Sequence, residues 1–276
     1  MLQKKLDYLI KEIEKSKNNN ANKRTNKNIE CKSCRYDADD IILRKYIKND
    51  ITEIDFNDRD YVYHISTLIN SFYSTRMGAD RLYATAMKIA NNGMFINKIM
   101  CKEKVLSNGE LDLIQDRLCE KIKLRATERG EADREFRSYS FVTKFLSIHS
   151  LYTSKNNISS FPIYDGQVVT VIKTYKLNEL QGLEKFIKLY YKSGIIPNHI
   201  KNKYDNLNAY FNNTIKGKDR KIRNLILENY GIFYKLMEIL SLTTQLDFKK
   251  LDQFFWKLGD KIQKEIKQQQ QLNKKG

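Results

Sequence analysis

Apolar residues recur at a spacing of three to four along most of this chain, which is the period of an amphipathic helix. One clear stripe consists of Leu111, Ile114, Leu118 and Ile122, with polar residues between them. With only two prolines and eleven glycines, the chain has little of the turn punctuation that an all-β protein needs. The pattern predicts an all-α fold with helices over residues 1–16, 59–76, 79–92, 110–126, 133–150, 177–193, 198–215, 219–241 and 247–269.

One run, residues 168–172 (VVTVI), is β-branched enough for a strand. The start of a buried helix gives the same pattern, so both interpretations stay open. The Asn/Lys-rich residues 18–28 have the composition of a linker. We therefore divide the chain into a basic, partly disordered N-terminal extension, residues 1–35, and a helical domain, residues 36–276.

The net charge of +17 predicts a polyanionic partner. This partner would be bound mainly through the two basic ends, residues 1–35 and 197–276. The alternative is that Lys- and Asn-rich coding merely raises the positive count. No 18-residue apolar run is present, so no membrane span is expected. The charged N-terminus lacks an apolar signal core, which predicts a cytoplasmic protein.

Cys31 and Cys34 have the spacing of half a zinc site, but no second close pair follows. The three histidines are far apart in the sequence. We expect neither a metal ion nor another cofactor.

Two segments carry a resemblance to a known family. The first runs from a helical pattern at residues 140–146 (SFVTKFL), through a polar loop, to residues 161–168 (FPIYDGQV), where a proline-stiffened apolar run leads to Asp165. The second is residues 69–77 (INSFYSTRM), followed by a helical pattern at residues 80–90. This order resembles the helix-hairpin-helix DNA glycosylases.

The resemblance implies two helical subdomains with a cleft between them, double-stranded DNA as partner and Asp165 as the catalytic carboxylate. It places the predicted DNA contacts on two segments and the base pocket on three aromatic residues. The DNA contacts are Ser74, Thr75, Arg76, Arg137, Ser138, Thr143 and Lys144, and the base pocket is Tyr73, Tyr164 and Trp256.

Members of the family carry a glycine hairpin before the threonine-containing helix, whereas this chain has residues 135–139 (EFRSY) there. Phosphate binding at that point would need Arg137, Ser138 or the helix N-terminus itself. Val142 occupies the place of the nucleophilic lysine of strand-cleaving members, so we expect a monofunctional enzyme. We also expect the enzyme to be a monomer. Its substrate would be a damaged or modified base, in DNA repair or in defence against phage DNA.

Other interpretations of these residues stay open. Asp165 directly before a helix would also serve as an N-cap, residues 74–76 could be an ordinary polar turn, and Trp256 could belong to the core. The corresponding alternatives for the whole chain are a noncatalytic helical DNA-binding protein and a helical interaction protein.

Overall fold

The computed structural model describes residues 2–23, 43, 45–47, 54–72, 77–101, 106–124, 134–153, 159–191, 195–215 and 229–273. Within these ranges the regular structure is helical apart from one antiparallel ribbon of two strands, which confirms the all-α prediction. The elements in chain order are α1 (Leu2–Lys23), α2 (Arg59–Phe72), α3 (Ala79–Ala90), α4 (Gly93–Met100), α5 (Asn108–Ile114), a π-helical turn (Gln115–Cys119), β1 (Ile122–Leu124), β2 (Arg134–Phe136), α6 (Tyr139–Thr153), α7 (Gly166–Thr174), α8 (Leu180–Tyr190), α9 (Asn198–Ile215), α10 (Tyr230–Thr244) and α11 (Phe248–Leu272).

The chain forms two compact units, and the division differs from the one predicted at residue 35. The middle unit is Cys31–Ile163, and the terminal unit combines Met1–Glu30 with Tyr164–Gly276. The N-terminal segment joins the terminal unit because the side chains of Leu6, Leu9 and Ile13 are fully buried there. Helix α1 also continues through Lys23, so the first part of the predicted linker is helical.

Helix α6 is the central helix of the middle unit. Every residue from 141 to 152 is buried, as expected of a helix with no face left for solvent. Helix α2 packs against α3 and α6. Helix α4 begins at Gly93, where a Cβ would collide with the backbone of Phe56, so the close approach of these two segments requires glycine.

The single helix predicted over residues 110–126 is wrong in its second half. Leu111, Ile114 and Leu118 are buried as the stripe predicts, but the helix ends in the π-helical turn. Ile122 then lies in β1 and pairs with Phe136 of β2. Strand β2 also replaces the start of the helix predicted over residues 133–150. Pairing between strands that are distant in sequence leaves no mark on a local helical period.

In the terminal unit, residues 168–172 are helical and belong to α7, so the strand interpretation of this run is wrong. The run is β-branched because Val168, Val171 and Ile172 fill the core. Helix α11 packs closely on α7. A Cβ at Gly259 would collide with the carbonyl group of Gln167, and the Gln263 amide donates to the Thr170 hydroxyl at 3.0 Å.

Candidate functional site

A cluster of buried serines fixes the start of the segment that leads to Asp165. The hydroxyl of Ser159 lies 2.8 Å from that of Ser147 and 3.2 Å from that of Ser150, both on α6. It also donates to the carbonyl oxygen of Phe161 at 2.9 Å. The Ser150 hydroxyl accepts from the backbone N–H of Ser160 at 3.1 Å. Because all three hydroxyls are buried, breaking these bonds would leave polar groups away from water.

Asp165 is the N-cap residue of α7. Its backbone is extended, with φ −129° and ψ 154°, and its Oδ1 accepts from the N–H of Gln167 at 3.0 Å. Its carbonyl oxygen accepts the first helical bond, from Val169 at 2.9 Å. The N-cap interpretation of Asp165 is therefore confirmed. The side chain is half-buried, so the cap fixes one face of a carboxylate that the solvent still reaches.

Tyr164 and Trp256 lie in the same unit as Asp165. The ring of Tyr164 packs edge-on against that of Phe233, with centroids 5.3 Å apart. Trp256 is half-buried on α11, the helix that packs against α7. Both aromatic rings are thus on elements adjoining the capped helix, and neither is sealed in the core.

Thr143 and Lys144 belong to the middle unit and are buried in it. Thr143 is fully buried, and its hydroxyl donates to the carbonyl oxygen of Ser140 at 3.1 Å. Lys144 is only 7% exposed. Their burial does not fit the predicted contact with a DNA backbone, which needs side chains at the surface. The reason is that α6 is surrounded by other elements, a fact of packing that the sequence of the helix does not reveal.

Arg137 and Ser138 border a pocket at the N-terminus of α6. The pocket has a volume of about 200 Å³ and is also lined by Arg81 from α3. Arg137 is exposed, and the guanidinium of Arg81 lies over the ring of Phe136 at 5.4 Å. Sequence reasoning missed Arg81, because nothing local marks a residue that reaches this pocket from another helix. The other lining residues are Met77, Phe136, Ser140 and Phe141.

The predicted base-flipping turn and one aromatic candidate lie outside the described residues: Tyr73, Ser74, Thr75 and Arg76. The described structure on either side contains a clamp that sequence reasoning missed. The Asn70 side chain donates to the carbonyl oxygen of Met77 at 3.1 Å and accepts from its N–H at 3.1 Å. Asn70 thereby ties the end of α2 to the segment before α3.

His149 takes part in a buried hydrogen-bonded pair. Its Nδ1 lies 2.8 Å from the carbonyl oxygen of Phe145, and its Nε2 lies 3.3 Å from the hydroxyl of Tyr61. Since a carbonyl oxygen only accepts, Nδ1 carries the hydrogen and Nε2 accepts from Tyr61. Burial lowers the pKa of His149 to about 4 and raises the pKa of Tyr61 above its usual range. This neutral pair stabilises the core of the middle unit.

Within the described ranges, no group of three or more His, Cys, Asp or Glu side chains is placed to hold a metal ion. Cys31 and Cys34 lie outside those ranges. None of the described helices is both long enough and apolar enough to span a membrane.

Comparisons of the chain with protein-family models, with curated proteins and with solved structures found no match.

Proposed function

We propose that the protein is a DNA glycosylase that hydrolyses the N-glycosidic bond of a damaged or modified base with Asp165. The observation that carries the proposal is the fixed, half-buried carboxylate at the start of α7. The hydrogen bond from the N–H of Gln167 holds this carboxylate at the first turn of α7. A carboxylate that stabilises developing charge is more effective when it is already in place, because no free energy is then lost in reorienting it during the reaction.

In this reaction Asp165 would stabilise a positive charge and activate a water molecule. As the bond between C1′ and the base nitrogen breaks, its electron pair leaves with the base, and positive charge develops on the sugar. A partly desolvated carboxylate stabilises that charge and accepts a proton from the water whose oxygen bonds to C1′, and the departed base takes up a proton from the solvent. The half-buried rings of Tyr164 and Trp256 are the candidates for stacking on the extruded base.

Val142 supports the monofunctional form of the proposal. It stands at the position where strand-cleaving members of the family that this chain resembles carry a lysine, and it is buried in α6. An apolar side chain cannot form the Schiff base that lyase chemistry requires. We therefore expect base release to leave an abasic site with an intact strand.

The test is base release measured by mass spectrometry from alkylated DNA, oxidised DNA and phage DNA with modified cytosines. The informative variant is Asp165→Asn, because asparagine caps a helix about as well as aspartate but carries no charge. A free base released by the wild type and not by Asp165→Asn would support the proposal and identify the substrate. Release at equal rates by both proteins would refute the role of Asp165.

A noncatalytic DNA-binding protein is the second candidate, and it is favoured by the sequence EFRSY at residues 135–139, where the resembling glycosylases carry a glycine hairpin. In that case Asp165 is only a helix cap. Salt-sensitive DNA binding without base release from any DNA in the panel would support this candidate.

A further inference from the structure

The pocket at the N-terminus of α6 has the chemistry of an anion site. Two of its lining residues are arginines from separate elements, Arg81 on α3 and Arg137 just after β2. The first N–H groups of a helix have no partner within the helix, and its dipole favours negative charge at this end. A helix N-terminus with two arginines beside it is a common arrangement for binding phosphate.

The hydroxyl of Ser138 gives independent evidence for a ligand. Ser138 is the residue before α6, and its carbonyl oxygen accepts from the N–H of Val142 at 2.9 Å. It lines the pocket and is only 3% exposed, yet its hydroxyl has no hydrogen-bond partner among the described residues. A buried hydroxyl without a partner is destabilising, and a phosphate oxygen in the pocket would accept its hydrogen.

The N-cap side chains of the described helices differ in whether they accept a hydrogen bond, and those of Asn92 and Glu179 do not. The side chains of Ser107, Asp165, Asn229 and Asp247 each accept a hydrogen bond from the first turn of the helix that they cap. Ser138 occupies the equivalent position and does not. The N-terminal turn of α6 therefore donates no hydrogen bond to the side chain of Ser138.

We propose that this pocket binds a phosphate group, and that the phosphate belongs to the backbone of the DNA. The identity of the source rests on the proposed function, whereas the phosphate chemistry rests on the pocket alone. The arginines neutralise the phosphate charge, Ser138 and the first N–H groups of α6 donate to its oxygens, and Phe136 holds the guanidinium of Arg81 in place.

The test compares Arg81→Gln and Ser138→Ala with a matched control, Arg117→Gln. The control arginine also lies 5.4 Å over a phenylalanine ring, that of Phe95, but it does not line the pocket. Ser138→Ala removes a hydroxyl that has no partner, so it should fold normally, and circular dichroism checks all three variants. Two measurements follow: the salt dependence of duplex DNA affinity by fluorescence anisotropy, and the binding of inorganic phosphate by ³¹P NMR at constant ionic strength.

For Arg81→Gln we expect the slope of log affinity against log salt to fall by about 0.9, the value of one phosphate contact. Over a fourfold rise in salt, the wild type should therefore lose about 3.5-fold more affinity than the variant. Both pocket variants should lose inorganic phosphate binding, and Arg117→Gln should keep both properties.

Each outcome decides the proposal. Loss of phosphate binding together with a lower salt slope supports a DNA backbone phosphate. Loss of phosphate binding with an unchanged slope supports the phosphate site but makes a free phosphate ester its ligand. Wild-type behaviour of the folded pocket variants in both measurements overturns the proposal. Because neither measurement uses base release, failure of the glycosylase proposal gives a separate signal.

Discussion

Acidification should destabilise the middle unit through His149. The ring is buried, and its pKa falls from an ordinary 6.5 to about 4 in the folded protein, so the unfolded chain binds a proton more readily. The stabilising effect of the neutral ring is fully present above pH 6.5 and is lost as the pH falls towards 4. At about 1.4 kcal/mol per pH unit, the unfolding free energy at pH 4 should be about 3 kcal/mol lower on account of this group.

The assay is urea unfolding at pH values from 7.5 to 4, followed by far-UV circular dichroism, for the wild type and His149→Gln. Glutamine can still donate to the Phe145 carbonyl and accept from Tyr61, but it does not titrate. Between pH 7 and 4 the wild type should lose about 3 kcal/mol more unfolding free energy than His149→Gln. His64→Gln is the matched control because His64 is exposed in the same unit, and it should follow the wild type.

If the unfolding free energies of the wild type and His149→Gln changed with pH in the same way, this reasoning would be refuted. A proton NMR titration gives a second check, because the ring signals of His149 should stay constant above pH 5.5. A ring that titrates near 6.5 in the folded protein would show that its charged form is accommodated in the core.

Three further predictions concern single side chains. Asp165→Ala should lower the unfolding free energy by about 1 kcal/mol, as should Asp247→Ala at the start of α11, whereas Asp165→Asn should change it little. If urea unfolding showed the Asn variant to be as unstable as the Ala variant, the cap role would be contradicted. Ser159→Ala should lower the unfolding free energy by about 1–3 kcal/mol, because it leaves the buried hydroxyls of its serine partners without a hydrogen bond. Ser138→Ala should lower it by less than about 0.5 kcal/mol, because its hydroxyl has no partner to lose. Equal melting temperatures of the two variants would argue against the roles given to both serines. Gly259→Ala should lower the unfolding free energy by about 1–3 kcal/mol, because its Cβ disturbs the packing of α7 on α11. A melting temperature equal to that of the wild type would show that the two helices can move apart without loss of stability.

Helix positions in this protein were largely predictable from apolar spacing. Helix α9 has the predicted bounds, and α3 ends within two residues of them. The errors occur where structure depends on partners distant in sequence. The β1–β2 ribbon is one case, and α4, which meets the backbone of Phe56 through Gly93, is another. Buried β-branched residues gave α7 the pattern of a strand, since a local pattern does not distinguish the two kinds of burial.

The candidate site divides in the same way. An aspartate directly before an apolar run indicates a helix cap, and Asp165 has that role. The burial of Thr143 and Lys144 was not predictable from α6 itself, because it depends on the elements that surround this helix. The contribution of Arg81 to the pocket likewise depends on how α3 packs in the middle unit.

By itself the sequence determined the helical class, most helix positions and the cap at Asp165, because each depends on residues within a few turns of one another. Tertiary structure alone decided which polar side chains are buried, which reach a common pocket and which N-terminal residues join the terminal unit. These outcomes arise from contacts between segments far apart in the chain, where burial changes the free energy of a hydroxyl or an imidazole by several kcal/mol.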